Sequence, residues 1–227
     1  MSDVPVIAID GPSGSGKGTV AAAVAEQLGF VLLDSGALYR VLGIAASKYA
    51  VDLDDHAAIA DLAGRLDIQF GKSGPGSVWL DGEDVTLQIR TDRGSELASL
   101  VGAIPAARRA LFERQISFRR EPGLVADGRD MGSVVFPDAR LKIYLTASLE
   151  ERARRRYKQL IGKGIDAILP DLLRDLKERD ARDSQRSISP LQPAEDAVVL
   201  ETTDLEIDQV VKQVMDLVRL RLGGSRA

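Results

Sequence analysis

The sequence predicts an α/β fold: one five-stranded parallel sheet with helices on both faces, plus a small antiparallel-sheet insert and a short basic lid. Three observations carry this reading. Five short apolar runs, at residues 4–9, 30–33, 124–126, 141–145 and 197–200, have the length and composition of buried strands. Helical patterns separate most of them, the sequence signature of crossover connections between parallel strands. Polar residues close the first three runs, Asp10, then Asp34 with Ser35, then Asp127. That edge is where open α/β sheets bind ligands.

The first run leads directly into Asp10-Gly11-Pro12-Ser13-Gly14-Ser15-Gly16-Lys17-Gly18-Thr19, and an Ala-rich helical stretch follows. Strand, glycine loop and helix in that order form a phosphate-binding loop in its proper context. The glycines let successive backbone N–H groups converge on phosphate oxygens at the positive end of the helix. Lys17 adds a cation for the β- and γ-phosphates. A plain Gly/Ser linker would lack the strand before it and the helix after it. The frame is therefore of the P-loop NTPase type, with residues 11–19 at the triphosphate. The usual motif has a Mg²⁺-binding hydroxyl directly after the lysine. Here Gly18 holds that place and Thr19, the candidate metal residue, comes one position later, an order similar to that of nucleoside monophosphate kinases and unlike that of GTPases. Less protein ligation of Mg²⁺, and more from water and phosphate, is implied.

A chain of 227 residues, 44% hydrophobic, suffices for one good-sized domain with an insert. The absence of cysteine excludes disulfides, a thiol nucleophile and cysteine metal sites, and is compatible with a reducing compartment. The single histidine, His56, sits in a polar run and reads as solvated. No run reaches the roughly 18 apolar residues a membrane span needs, and the loop begins at Gly11, so a cytoplasmic protein is expected. A net charge of −4 argues against a nucleic acid polymer as partner. The local arginine patches call instead for a small phosphorylated ligand.

Between the second and third runs, residues 64–104 change texture. Short alternating runs around Asp81-Gly82 predict a small antiparallel sheet, with Trp79 in its core. The stretch 150–165 holds Arg152, Arg154, Arg155, Arg156, Lys158 and Lys163 before a glycine break. It reads equally as a solvated helix face and as a basic lid over the triphosphate. The last residues, 223–227, read as a frayed tail.

Three clusters carry the chemistry. Ala126-Asp127-Gly128-Arg129-Asp130-Met131-Gly132 ends the third strand, with two carboxylates bracketing an arginine and Gly128 expected to turn the backbone sharply. Arg179, Arg182, Asp183 and Arg186 recur at spacings that share one helix face, although a surface ion-pair ladder would look similar. Leu33-Asp34-Ser35-Gly36-Ala37-Leu38-Tyr39-Arg40 follows the second strand, and Arg108 lies just past the insert. These arginines explain one another if the acceptor is itself a phosphate, since bidentate guanidinium contacts hold a dianion firmly. A phosphate monoester is anionic near neutrality, so no histidine base is needed. Catalysis reduces to in-line positioning, Mg²⁺ and cationic stabilisation.

Together the loop, the segment 33–40, the segment 126–132 and Lys177-Glu178-Arg179-Asp180 with Arg182-Asp183 resemble the bacterial cytidylate (CMP/dCMP) kinases. The resemblance implies transfer of the γ-phosphoryl group of ATP to CMP or dCMP with Mg²⁺, and a monomer is expected. It implies that Arg40, Arg129 and Arg186 hold the acceptor phosphate beside Ser35, that Ser99, Arg108 and Asp130 read the base, and that Arg179 and Asp183 meet the sugar. Lys17, Arg129, Arg182 and Asp127 are the candidate catalytic set. Two other readings share the loop: a kinase of another small acceptor, of shikimate or adenylate type, and a nucleotide-dependent switch without transfer activity.

Overall fold

The computed structural model describes residues 4–74, 76–162, 164–186 and 188–223. The expectations at Lys163 and at the tail beyond Gly223 lie outside them. All five apolar runs are strands: β1 (Val6–Asp10), β2 (Val31–Asp34), β6 (Leu124–Gly128), β7 (Leu141–Thr146) and β8 (Val198–Glu201). They form one sheet in the order β2-β6-β1-β7-β8. β1 runs parallel to β6 and β7, and β7 parallel to β8. β1 is central because every one of its residues is buried, which only a strand covered on both faces sustains. The strand order reverses beside β1, so its C-terminal end opens the crevice in which such sheets bind ligands.

The chain divides into two compact units, one comprising the residues up to Leu33 and those from Phe118 onward, the other Asp34–Ser117. In the first, helices α1 (Lys17–Leu28) and α8 (Ile207–Leu222) contribute Val20, Val24, Val210, Val214 and Val218 to a core shared with Ile7, Ile9, Val125, Ile143 and Leu145 of the sheet. Burying each such side chain contributes roughly 1.5–3 kcal/mol. α1 is bounded by left-handed glycines at both ends, Gly16 and Gly29, and the Gly29 N–H closes on the carbonyls of Ala25 and Glu26. Helices α6 (Leu149–Ile161) and α7 (Leu169–Ser184) pack against each other in the same unit.

The second unit contains α2 (Ser35–Lys48), α3 (His56–Arg65), α4 (Asp92–Val101) and α5 (Pro105–Ile116), with α2 against α4 and α3 against α5. A β-carbon on Gly43 of α2 would lie 2.6 Å from the Leu97 side chain of α4, so glycine permits that close crossing. The antiparallel sheet is present as β3 (Ile68–Phe70), β4 (Val78–Leu80) and β5 (Glu83–Asp84). Trp79 departs from expectation. Val78 and Leu80 take the buried face of β4, and alternation puts Trp79 on the other, where Lys72 caps its ring at 4.2 Å and Ser73 accepts its indole N–H at 2.8 Å. His56 is exposed at the first residue of α3.

Candidate active site

The loop leaving β1 is built for an anion. Gly11, Gly14 and Gly16 have positive φ, and a β-carbon on Gly11 would lie 2.0 Å from the Leu145 carbonyl oxygen of β7, so no other residue fits there. Gly16 begins α1 without a side-chain cap, and the first turn carries no acidic residue. The positive helix end is thus left to an incoming phosphate. Ser15 is buried with its hydroxyl lacking any hydrogen-bond partner, an arrangement that costs about 1–3 kcal/mol until a ligand satisfies it. Lys17 is buried as well and donates to the Pro12 carbonyl at 3.1 Å. Gly18 and Thr19 are exposed.

Two arginines of α6 grip the outer side of the same loop. Arg152, only 6% exposed, donates to the Ser13 carbonyl at 3.0 Å, and Arg155 donates to the Ser15 carbonyl at 3.2 Å and to Thr202. Elsewhere on this stretch Arg154 pairs with Glu151 on the surface and Lys158 is exposed, as on a solvated helix face.

Asp127 and Asp130 flank Arg129 at the end of β6, and all three lie in the first unit. Asp127 is buried, and its Oδ2 lies 3.1 Å from the place a β-carbon on Gly18 would take. Gly128 serves a different purpose from the sharp turn expected of it. It has no positive φ and ends the strand, and a β-carbon would strike the Met131 side chain at 2.7 Å. The bend after it is held instead by Asp10, whose two oxygens accept the Met131 and Gly132 N–H groups at 2.8 Å each. Burial raises the Asp10 pKa to about 7 against those two hydrogen bonds, with the charges of Asp130 and Asp127 pushing the same way as burial.

Asp183 of α7, fully buried, joins two of the predicted phosphate-binding arginines. One oxygen accepts from Arg129 Nε at 3.0 Å and the other from Arg186 Nη2. Burial pushes its carboxyl up, but the guanidinium charges of Arg129, Arg186 and Arg179 outweigh that and hold it below the usual carboxylate range. Burial likewise opposes charge on Arg129, and attraction to Asp183, Asp127 and Asp10 more than restores it. Asp183 thus orients arginines, a part the sequence pattern did not assign. Arg179 and Arg182 are half-buried on the same helix, and Arg186 lies two residues beyond its end rather than on it.

The second unit holds the remaining predicted residues. Asp34 caps α2 by accepting the Ala37 N–H at 2.8 Å and holds Arg40 at 2.7 Å, where the buried Arg40 Nε has no hydrogen-bond partner. Ser35 is buried and donates to Gln115 at 2.7 Å. Ser99 is buried in α4, and Arg108 donates to the Gly102 carbonyl at 3.2 Å with its guanidinium 5.6 Å from the Tyr39 ring centre. Gln115 had no sequence signal, since one amide on a polar helix resembles any surface residue.

Residues 7–220 match the family model described as cytidylate kinase. Cytidylate kinases of Cupriavidus necator, at 57% identity over 95% of this chain and 96% of that protein, and of Pseudomonas entomophila, at 55% over 97% and 98%, are similar along nearly their whole lengths. A third, from Stutzerimonas stutzeri, is 56% identical over 95% of each chain. With a family match across nearly all of the sheet and both units, and relatives this similar over their full length, the chain belongs to the cytidylate kinase family.

Proposed function

We propose how this family member works: it transfers the γ-phosphoryl group of ATP to CMP or dCMP, giving ADP and CDP or dCDP. The observation that carries the reading is the Arg129–Asp183–Arg186 cluster, in which one buried carboxylate fixes two guanidinium groups of a unit that also holds a phosphate loop. A lone anion-binding loop serves many reactions. A second, arginine-built anion site is what a phosphorylated acceptor requires.

In this reading ATP phosphates take the N–H groups of Gly11, Ser13, Gly14, Ser15, Gly16, Gly18 and Thr19, the Ser15 hydroxyl and Lys17 Nζ. Pro12 has no N–H and serves through its carbonyl, which steadies Lys17. Arg129 and Arg186, with Arg40 and Ser35, take the acceptor phosphate. Ser99, Arg108 and Asp130 read the base, Arg179 and Asp183 meet the sugar, and Arg182 stabilises the transferring group. Asp130 as a carboxylate accepts from the cytosine amine and would oppose the O4 acceptor of uracil.

The residues fit Mg²⁺ arriving with ATP. Asp127 Oδ2 lies 3.1 Å from where a β-carbon on Gly18 would stand, and Thr19 comes one residue on, so a single carboxylate with phosphates and water would hold the ion, its ordinary mode of binding. When bound it supplies neutralisation of charge on the β- and γ-phosphates. Among the described residues no group of three or more His, Asp or Glu side chains forms a cage of its own, and no helix is long and apolar enough to cross a membrane. The partners in this reading are the small nucleotides ATP and CMP or dCMP, with the protein a cytoplasmic monomer.

The test is ADP release from Mg-ATP with CMP, dCMP, UMP, AMP and shikimate offered separately. Turnover confined mainly to CMP and dCMP is expected. Activity with AMP or shikimate would keep the scaffold and overturn the acceptor assignments, and none at all would favour a binding module.

A further inference from the structure

Asp180 belongs to a motif that no ligand role explains, and its position gives it another task. Its Oδ2 accepts from Arg152 Nη2 at 2.6 Å, while the other nitrogens of the same guanidinium donate to the Ser13 carbonyl at 3.0 Å and the Ala147 carbonyl at 3.0 Å. One buried side chain therefore ties α7, the start of α6 and the phosphate loop together. The contact with the loop is also steric, since a β-carbon on Gly14 would lie 3.1 Å from Arg152 Cβ.

The Ser13 carbonyl and the Gly14 N–H are two ends of one peptide group. A cation on the carbonyl fixes the plane of that peptide and polarises its N–H, one of the loop donors assigned to ATP. On the far side, Asp180 adjoins Arg179 and lies three residues before Asp183 on α7. Its Oδ1 is buried and makes no hydrogen bond, so Arg152 is the partner that anchors the carboxylate.

We propose that Asp180 and Arg152 are positioning residues that couple the phosphate loop to the acceptor residues of α7, so that each nucleotide strengthens the binding of the other. This rests on the reading that α7 meets the acceptor. Filling the loop orders the Ser13–Gly14 peptide, and Arg152 passes that order to Asp180. By linkage, CMP must tighten ATP by the same factor. Simple cementing of α6 to α7 would contribute stability and no coupling.

The test is calorimetric titration of the full chain with CMP, in the absence and presence of a saturating non-hydrolysable Mg-ATP analogue. The parent should show a coupling factor of about fivefold or more. In Asp180→Asn, which keeps shape and one acceptor but removes charge, the factor should fall to within about twofold of unity while each nucleotide alone binds within about threefold of the parent. Arg152→Lys, which keeps the charge but cannot reach all three partners, should lose coupling likewise, and it decides the matter if the first variant does not fold. A parent factor of one, or a parent-like factor in the variants, overturns the proposal, as does a lowered Tm with unchanged coupling. Arg179→Ala, titrated in parallel, should lose CMP affinity and keep the analogue. If it keeps CMP, the assignment of α7 to the acceptor fails whatever the coupling does.

Discussion

The carboxylate of Asp127 stands 3.1 Å from the point a β-carbon on Gly18 would occupy, so an acid of β6 closes tightly on the backbone where a side chain is missing after Lys17. In the proposed reading this carboxylate of the adjacent strand would serve Mg²⁺ where a loop hydroxyl otherwise would.

Gly18→Ala therefore probes Asp127 without touching it. The added methyl must displace the carboxylate by a few tenths of an ångström, and we expect kcat to fall about tenfold, or ~1.4 kcal/mol. Stability should hold or rise, because Ala is favoured over Gly in a helix by about 1 kcal/mol. Steady-state rates across a Mg²⁺ titration, with a thermal melt, check both halves. An unchanged kcat would remove Asp127 from the catalytic set.

Arg129→Ala should lower kcat/KM for CMP by at least about 2 kcal/mol, because a charge-assisted phosphate contact is lost in a buried setting. Asp183→Ala should act on stability as well, by about 3 kcal/mol, since it leaves the Arg129 and Arg186 charges buried without their shared carboxylate. Denaturant melts separate the two variants. Equal stability loss in both would mean the pair acts through packing alone.

Asp130→Ala should narrow the preference for CMP over UMP without abolishing turnover, as the mismatch between a carboxylate and the uracil O4 is worth a few kcal/mol. The ratio of kcat/KM values for the two acceptors reads this directly. A ratio equal to the parent's would take Asp130 out of base reading.

The framework was legible in the sequence because each strand is a short apolar run, continuous where β1 and β6 are buried on both faces, although β2 and β8 at the sheet edges are only partly buried. The loop was legible because its glycines answer backbone demands, as the Gly11 approach to Leu145 illustrates. What stayed hidden were choices between faces and partners. Trp79 alternates correctly, but alternation does not say which face of β4 meets the core. Asp183 and Arg152 look like members of charge runs, and only the tertiary fold reveals that one orients two arginines and the other holds the phosphate loop. Gly128 was read as a turn residue when its neighbour Met131 is what excludes a side chain.

Asp10 gives the molecule a pH signature opposite to that of the buried Asp183. Its folded pKa of about 7 lies above the 3.8 of an ordinary aspartate, so the folded state keeps a proton that the unfolded chain has already released. The stability this contributes is complete below pH 3.8 and is lost as pH rises towards about 7, at up to ~1.4 kcal/mol per unit. Asp183, held below the usual range, contributes stability that is present above pH 3.8 and lost as pH falls through its folded pKa. Asp10→Asn removes the first effect alone. The stability advantage of the parent over this variant, measured by urea unfolding at several pH values, should shrink steadily between about pH 4 and 7. Asparagine also presents an N–H₂ group to one of the two amides that Asp10 now accepts, from Met131 or Gly132, so the bend carrying Arg129 should loosen and kcat should fall. A difference in unfolding free energy that stays flat across that range would show that the Asp10 carboxyl titrates as an ordinary acid, and the buried two-point contact would then have to be read as fully ionised.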